Sequence, residues 1–397
     1  MQYNFDDPVN RVGSNSYKWD TEGEAGRLIP LSVADTDFRS PLPVIEAVRK
    51  KAEFGIYGYA TFPTHDFKAA IAGWYMRRYG LAVDAEAIRP AQGLMTGALW
   101  MLLLALTSQD DTILIQEPVY HNFRIVSENM GRKVISSDLK LNGGKYEIDW
   151  QDFEEKAGRS DTRVLVLCNP HNPVGRVWTS DELSRICEIC SRNNVLIFSD
   201  EVHGDIVYKG HTHTPIISIP QAREISVSMS GPSKSFNLAG LYSSYVVIYN
   251  GAIRESYDKI YRQFHFDHNF IGTEALIAAY SKCDDYVDQQ NRYLEGNISA
   301  LKTFLTDNLP ELQIIEPEGT YLLWLDCRRW KLTQNQLLNF FEDCGVRVND
   351  GRMYGKGGEG FVRLNAATQR AVLIEALYRI RAGYSVWKAN GQLGKID

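Results

Sequence analysis

The chain has 397 residues, of which 44% are hydrophobic and 23% charged, an ordinary globular composition whose length suggests two domains, or three. A formal charge of −6 and the lack of a basic cluster argue against nucleic acid as the main partner. The opening M-Q-Y-N-F-D-D has no basic n-region and no apolar core, so no signal peptide is expected, and the most apolar run, Ala98 to Leu106, is too short to span a bilayer.

Six cysteines in so long a chain make no disulfide framework, and a reducing cytoplasm is the expected compartment. Cys187 and Cys190 form a C-x-x-C on a helical pattern without a second pair, which favours packing over zinc.

In chain order, the first forty residues are rich in turn formers and read as an arm that packs against a neighbouring domain or subunit. A helix is predicted from Pro43 to near Gly55. The aromatic, glycine-rich loop I-Y-G-Y-A-T-F-P follows, and then a helix over Asp66 to Tyr79 closed by Gly80. From about Arg89 to Ile248, short apolar runs alternate with helical stretches. The predicted strands are Thr112 to Gln116, Val164 to Cys168, Val195 to Ser199, Ile225 to Met229 and Ser244 to Ile248. Several are apolar without alternation, as in a parallel sheet buried on both faces, with crossover helices such as Asp181 to Asn193. After about Tyr286 a long helix leads into a smaller α+β region with strands near Gly319 to Leu325 and Phe361 to Leu364. A last helix is predicted from about Thr368.

In such a sheet, ligands sit at the carboxyl ends of the strands, and the candidate chemistry falls there. In P-A-Q-G-L-M-T-G a glycine opens a helix, so the N–H groups of Gly93, Leu94 and Met95 could receive a phosphate. In E-P-V-Y-H-N-F, Tyr120 is free to stack on a flat ligand, although packing is the usual role of such a tyrosine. In C-N-P-H-N-P-V-G-R, prolines restrict the backbone around Asn172. In V-L-I-F-S-D-E-V-H, Asp200 ends a hydrophobic strand, where a carboxylate is costly unless paired, and a protonated ring nitrogen would suit it. His203, three residues on, could tune that pair or be structural. Lys234 follows Gly231-Pro232 on a turn after a buried strand, and burial disfavours its charged form, making it a better nucleophile toward a carbonyl. Together these residues describe a site for pyridoxal phosphate, a phosphorylated aromatic aldehyde.

The ordered motifs G-L-M, P-V-Y, N-P-H-N-P-x-G-R, S-D-E-V-H and S-x-S-G-P-S-K-S-F-N-L-A-G resemble the fold-type I pyridoxal-phosphate enzymes of the aminotransferase class I/II family. Asn172 precedes Asp200 by 28 residues and Asp200 precedes Lys234 by 34, as in that family. N-F-D-x-x-x-N-R, N-S-Y-K-W-D, V-A-D-T-D-F, D-I-V-Y-K-G-H-T-H-T-P and G-E-G-F-V-R-L-N resemble its C–S lyase branch, which includes cystathionine β-lyases of the maltose-regulon-modulator type. The resemblance runs from about Asn4 to Asn365.

It implies an α/β fold with a mostly parallel seven-stranded sheet in a large domain and a smaller α+β domain. The expected division is an N-terminal arm over 1–45, a cofactor-binding domain over 46–285 and a small domain over 286–397. By position, Lys234 would join the cofactor and act as general base, Asp200 would pair the ring nitrogen, Asn172 the ring hydroxyl, and Tyr120 would stack on the ring. Ser233 and His203 would complete the cofactor site. Arg363 would grip a substrate α-carboxylate, with Ala34 beside it. Tyr59 would reach the phosphate of the other subunit, implying a homodimer with shared sites.

The expected activity is β-elimination from cysteine S-conjugates such as cystathionine. An aminotransferase, or a regulatory binding protein keeping the same fold, are the competing readings. Tyr242 stands where aminotransferases commonly have a phosphate-binding arginine, His203 where a tyrosine is usual, and Ser32 where the lyase branch often has tryptophan. The glycine-rich 355–360 stretch lacks the strand-to-helix context of a dinucleotide site. His211 with His213, and His265 with His268, lack companion ligands at matching spacing, so no metal is expected.

Overall fold

The computed structural model describes residues 1–264 and 269–393, so His265 and His268 lie outside the described residues. A seven-stranded sheet runs in the spatial order Ile88–Ala91, Ser244–Val247, Ser226–Ser230, Leu196–Asp200, Thr162–Cys168, Thr112–Ile115, Lys133–Ser136. Ser244–Val247 alone runs against the direction of the other six strands. The interior Ser226–Ser230 strand is buried along its whole length, as a sheet covered on both faces requires.

Two strands of this sheet escape the sequence pattern, and both are at its edges. Ile88–Ala91 contains Pro90, which an edge strand tolerates because one side of it makes no ladder. Lys133–Ser136 is four residues long with one buried position, a serine, so it carries little apolar signal.

The helices end where local chemistry dictates. Leu42–Glu53 has proline in its first turn. His65–Tyr79 starts with the Thr64 hydroxyl accepting from the Phe67 N–H and stops at Gly80, whose φ of 62° suits glycine. Ser180–Arg192 opens with a reciprocal capping box between Thr179 and Glu182 and buries both Cys187 and Cys190 on its inner face. The helix opened by Gly93 departs from expectation: its first six residues, Leu94–Leu99, are a π-turn, followed by an α-helix over Trp100–Leu106.

The C-terminal part contributes the long helix Asp284–Asn308, the helix Arg370–Ala389 and a four-stranded antiparallel sheet. Its order is Gln313–Ile314, Leu322–Asp326, Phe361–Asn365, Asn349–Asp350. The N-terminal segment is tied to this part, with Ile29–Pro30 pairing in parallel with Val346–Arg347. Within that segment the fully buried Lys18 ammonium meets Asp37 at 2.8 Å, and Arg11 bridges Asp35 and Asp37, each at 2.8 Å. N-S-Y-K-W-D and V-A-D-T-D-F are therefore two halves of one buried ion cluster, which holds Val33 to Asp37 in place.

Candidate active site

Asp200 is the last residue of the Leu196–Asp200 strand, in register with Cys168 on one side and Met229 on the other. Its carboxylate accepts the Val202 N–H at 3.2 Å. Burial pushes it up to about 6, against the pull of that N–H and of Lys234. A buried carboxylate with so few donors is suited to a protonated ring nitrogen.

Lys234 sits on the turn after the next strand. Gly231 must be glycine there, because a Cβ would lie 2.9 Å from Ser244 Oγ and 3.1 Å from the Ser243 carbonyl. The turn brings Lys234 Nζ within 2.7 Å of the Ala34 carbonyl oxygen, to which it donates. Burial lowers the ammonium to about 8; Asp35 and Asp200 oppose this, while the Arg363 charge adds to it. Ala34 itself is held because the Asn365 amide donates to the carbonyls of Val33 and Asp35, at 2.6 and 2.7 Å.

These groups open onto a cavity of about 320 Å³. Ten of the twelve candidate residues line it: Ala34, Gly93, Leu94, Met95, Tyr120, Asn172, Asp200, His203, Ser233 and Lys234. Gly93 opens one wall at φ 75°, and Gly97 lets the following turn close on Gln92, whose backbone a Cβ would meet at 2.4 Å. The Tyr120 hydroxyl accepts from Asn122 Nδ2 at 2.6 Å. His171 Nε2 lies 2.9 Å from the Pro118 carbonyl, locking the Asn172 loop to the segment that carries Tyr120. His203 is buried with Nδ1 unpartnered, and burial, with Lys234 and Arg363 nearby, keeps its imidazole neutral.

Arg363 and Tyr59 lie off the cavity wall. Arg363, on the Phe361–Asn365 strand, stands directly behind Asn172: one guanidinium nitrogen donates to Asn172 Oδ1 at 3.3 Å, the other to the Ser32 carbonyl at 2.7 Å and Asn349 Oδ1 at 2.8 Å. It lies 5.2 Å over the Tyr354 ring, and among the described residues no carboxylate pairs with it. A buried guanidinium bound only to neutral oxygens is a ready partner for an anion. Tyr59 is 99% exposed on the irregular stretch after Leu42–Glu53, away from this chain's own cavity.

Sequence reasoning missed Thr96, Asn122, Val202, Ser243 and Ser244, which also line the cavity. Ser243 and Ser244 open a strand antiparallel to the others, and no local pattern announces that its start faces the site. Tyr242 lines the wall as well, 57% exposed with φ 48°. The decoys separate cleanly: His211 is exposed and His213 buried against Tyr79, and the 355–360 stretch leads into a strand rather than a helix.

The residues fit pyridoxal phosphate on these grounds. The cavity combines a buried carboxylate without a cationic ion-pair partner, a lysine poised near neutrality, a flat tyrosine face and a helix opening whose first N–H groups lack helical acceptors.

Comparison with known proteins points the same way. Residues 27–380 match the family model of aminotransferase class I and II. The chain is 37% identical over 388 residues to the cystathionine beta-lyase PatB of Bacillus subtilis (strain 168), covering 96% of this chain and 100% of that protein. It is 30% identical to the protein MalY of Escherichia coli (strain K12), covering 94% and 96%. The crystal structure of cystalysin from Treponema denticola, which contains a pyridoxal 5'-phosphate cofactor, superposes with a TM-score of 0.93 at 31% identity, covering 97% of this chain and all of that one. With a lysine turn, a strand-end aspartate and an Asn-Pro loop on one such sheet, and a family match over most of its length, the chain belongs to the aminotransferase class I and II family.

Proposed function

We propose that the protein is a pyridoxal-phosphate-dependent carbon–sulfur β-lyase that acts on cystathionine or other cysteine S-conjugates and releases a thiol, pyruvate and ammonia. The observation that carries this reading is the convergence of Lys234, Asp200, Asn172 and Tyr120 on one cavity with Arg363 immediately behind it. The cystathionine β-lyase relative, similar along its whole length, supports the lyase over the transaminase. Bound in the cavity, the cofactor supplies an electron sink that stabilises negative charge at an amino acid's α-carbon.

The chain's own residues do the rest. Arg363 fixes the substrate α-carboxylate, and Asn172 orients the guanidinium through its Oδ1. Asp200 would hold a proton at the ring nitrogen, because a buried carboxylate gains most from a cationic partner. Lys234, lowered to about 8, is partly unprotonated near neutrality and takes the α-proton as general base, with the Ala34 carbonyl holding its amine. Gly93, Leu94, Met95 and Ser233 would hold the cofactor's phosphate and Tyr120 would pack on its ring, with His203 kept neutral by burial on the same wall.

Purified protein given cystathionine without any keto acid should yield pyruvate and a thiol. Pyruvate that appears only when a keto acid is added would make the protein an aminotransferase. The holoprotein should be yellow, and Lys234→Ala should lose both the colour and the elimination.

The division into 1–45, 46–285 and 286–397 belongs to the same proposal, as does a homodimer in which Tyr59 reaches the partner's phosphate site. The nearly naked Tyr59 beside exposed Ile56 and Tyr57 supports the dimer. Light scattering checks it, together with weaker cofactor retention in Tyr59→Phe. Six free, buried cysteines support a reducing, cytoplasmic location.

A further inference from the structure

Behind the lysine turn lies a buried carboxylate that the mechanism does not use. Asp205 is 7% exposed and accepts three side-chain hydrogen bonds: from Ser235 Oγ at 2.8 Å on Oδ2, and from the Tyr79 hydroxyl at 2.6 Å and Trp74 Nε1 at 3.0 Å on Oδ1. Among the described residues no lysine, arginine or histidine lies within ion-pair distance of it. The Arg78 charge acts on it only from beyond ion-pair distance, so its contacts are all neutral donors; taking a carboxylate out of water on those terms is expensive, and a position that served only packing would be better filled by an apolar side chain.

What the carboxylate joins explains its presence. Trp74 and Tyr79 belong to the His65–Tyr79 helix, and Trp74 stacks on Tyr280 with ring centroids 4.6 Å apart and planes 7° from parallel. That side is rigid core. The other side is Ser235, fully buried and the residue next to Lys234. The turn is tied at its far end as well, since Asn237 Nδ2 donates to the Thr36 carbonyl at 2.9 Å and the Ser40 hydroxyl to the Phe236 carbonyl at 2.9 Å. Those bonds reach the N-terminal segment, whereas Asp205 reaches the core of the large sheet domain. A carboxylate oxygen is the stronger acceptor for such a strut, because charge-assisted bonds are shorter and roughly twice as strong as neutral ones.

We propose that Asp205 is the positioning residue for Lys234, setting the height of the lysine over the cavity through the Ser235 hydroxyl. The inference rests on Lys234 being the residue that bonds the cofactor. The charged and titratable groups acting on Lys234 are Asp35, Asp200 and Arg363, with His203 nearby, and the variants below leave all four in place.

The test compares the holoenzyme of the parent with Ser235→Ala, Asp205→Asn and Tyr79→Phe. Three quantities are read: the pH midpoint of the visible band of lysine-bound cofactor, kcat and KM for cystathionine, and Tm. Ser235→Ala should lower kcat roughly 10- to 100-fold, the scale of a misplaced catalytic group, with KM within about twofold and a shifted midpoint. Asp205→Asn, which keeps the shape and loses the charge, should move kcat and the midpoint in the same direction. Tyr79→Phe deletes a partly buried donor to the same carboxylate but leaves the Ser235 bond, so it should lower Tm alone. Parental kcat and midpoint in Ser235→Ala would overturn the inference, as would an equal shift in Tyr79→Phe. If Ser235→Ala does not fold, Asp205→Asn decides on the same two readouts. A parent protein without a visible band would instead remove the reading of Lys234 on which the inference stands.

Discussion

Arg363 donates to Asn172 Oδ1 at 3.3 Å across 191 residues of sequence, joining the small antiparallel sheet to the loop after the Thr162–Cys168 strand. The bond couples the residue proposed to hold a substrate carboxylate to the residue proposed to hold the cofactor hydroxyl. Arginine is needed because its planar fork serves Asn172, Asn349 and Ser32 together, which an ammonium cannot reproduce.

Arg363→Lys should therefore keep its charge and lose its geometry. Truncating a buried, hydrogen-bonded charge contact costs about 3 kcal/mol, so kcat/KM for cystathionine should fall roughly a hundredfold. Most of the loss should appear in KM, and the visible spectrum of the holoprotein should be retained.

Asp200 should trade stability for function. Its folded value near 6 exceeds the ordinary 3.8, so the native state holds a proton more tightly than the unfolded chain between those pH values. Stability from this group is fully present below about 3.8 and is lost as pH rises through 6. A shift of about two units corresponds to about 3 kcal/mol. Asp200→Asn should therefore stabilise the cofactor-free protein by up to about 3 kcal/mol at pH 7.5 and by nothing at pH 3.5. Urea unfolding at the two pH values measures this, and elimination activity should be lost in the same variant.

Gly97, buried just behind the cavity wall, is where the turn tolerates no side chain. A Cβ would meet the backbone of Gln92 at 2.4 to 2.6 Å, and backbone cannot swing aside. Gly97→Ala should cost about 1–3 kcal/mol in thermal unfolding and weaken cofactor retention, because the displaced turn carries Leu94 and Met95.

Arg176 anchors the Asn172 loop from behind. Its guanidinium is almost fully buried, meets Glu318 and Glu182 at 2.9 Å each, and lies 4.6 Å over the Trp178 ring. Arg176→Met leaves Glu182 without its cation and Glu318 with only the half-exposed Lys145, at 2.8 Å, and should destabilise the fold by about 3 kcal/mol, read from the denaturation midpoint. Arg176→Met with Glu318→Gln should recover part of that loss.

Much of the site was legible because its signals are local. Gly231-Pro232 before Lys234, the Asn-Pro pairs around Asn172 and an aspartate ending an apolar run are all visible within a few residues. The edge strands Ile88–Ala91 and Lys133–Ser136 were not legible, since the first is four residues interrupted by Pro90 and the second is half-solvated, so neither carries much apolar pattern. The π-turn after Gly93 was also hidden, because a helical pattern does not say where the first turn widens. The role of the N-terminal arm surfaced only as an unpatterned, turn-rich stretch. Its buried Lys18–Asp37 pair is a contact between two segments that looked like loops.

By itself, the sequence determined which residue types bear chemistry and that most of the strands lie in a sheet buried on both faces, since continuous apolar runs and turn residues follow from the chain's own stereochemistry. Tertiary structure alone decided that Ala34, Tyr120, Asn172, Asp200 and Lys234 share one cavity, that Arg363 backs onto it and that Asp205 reaches Ser235. These residues sit on separate strands, turns and loops. Only strand order, register and the packing of the His65–Tyr79 helix bring them within hydrogen-bonding reach, and no stretch of sequence encodes that non-local geometry.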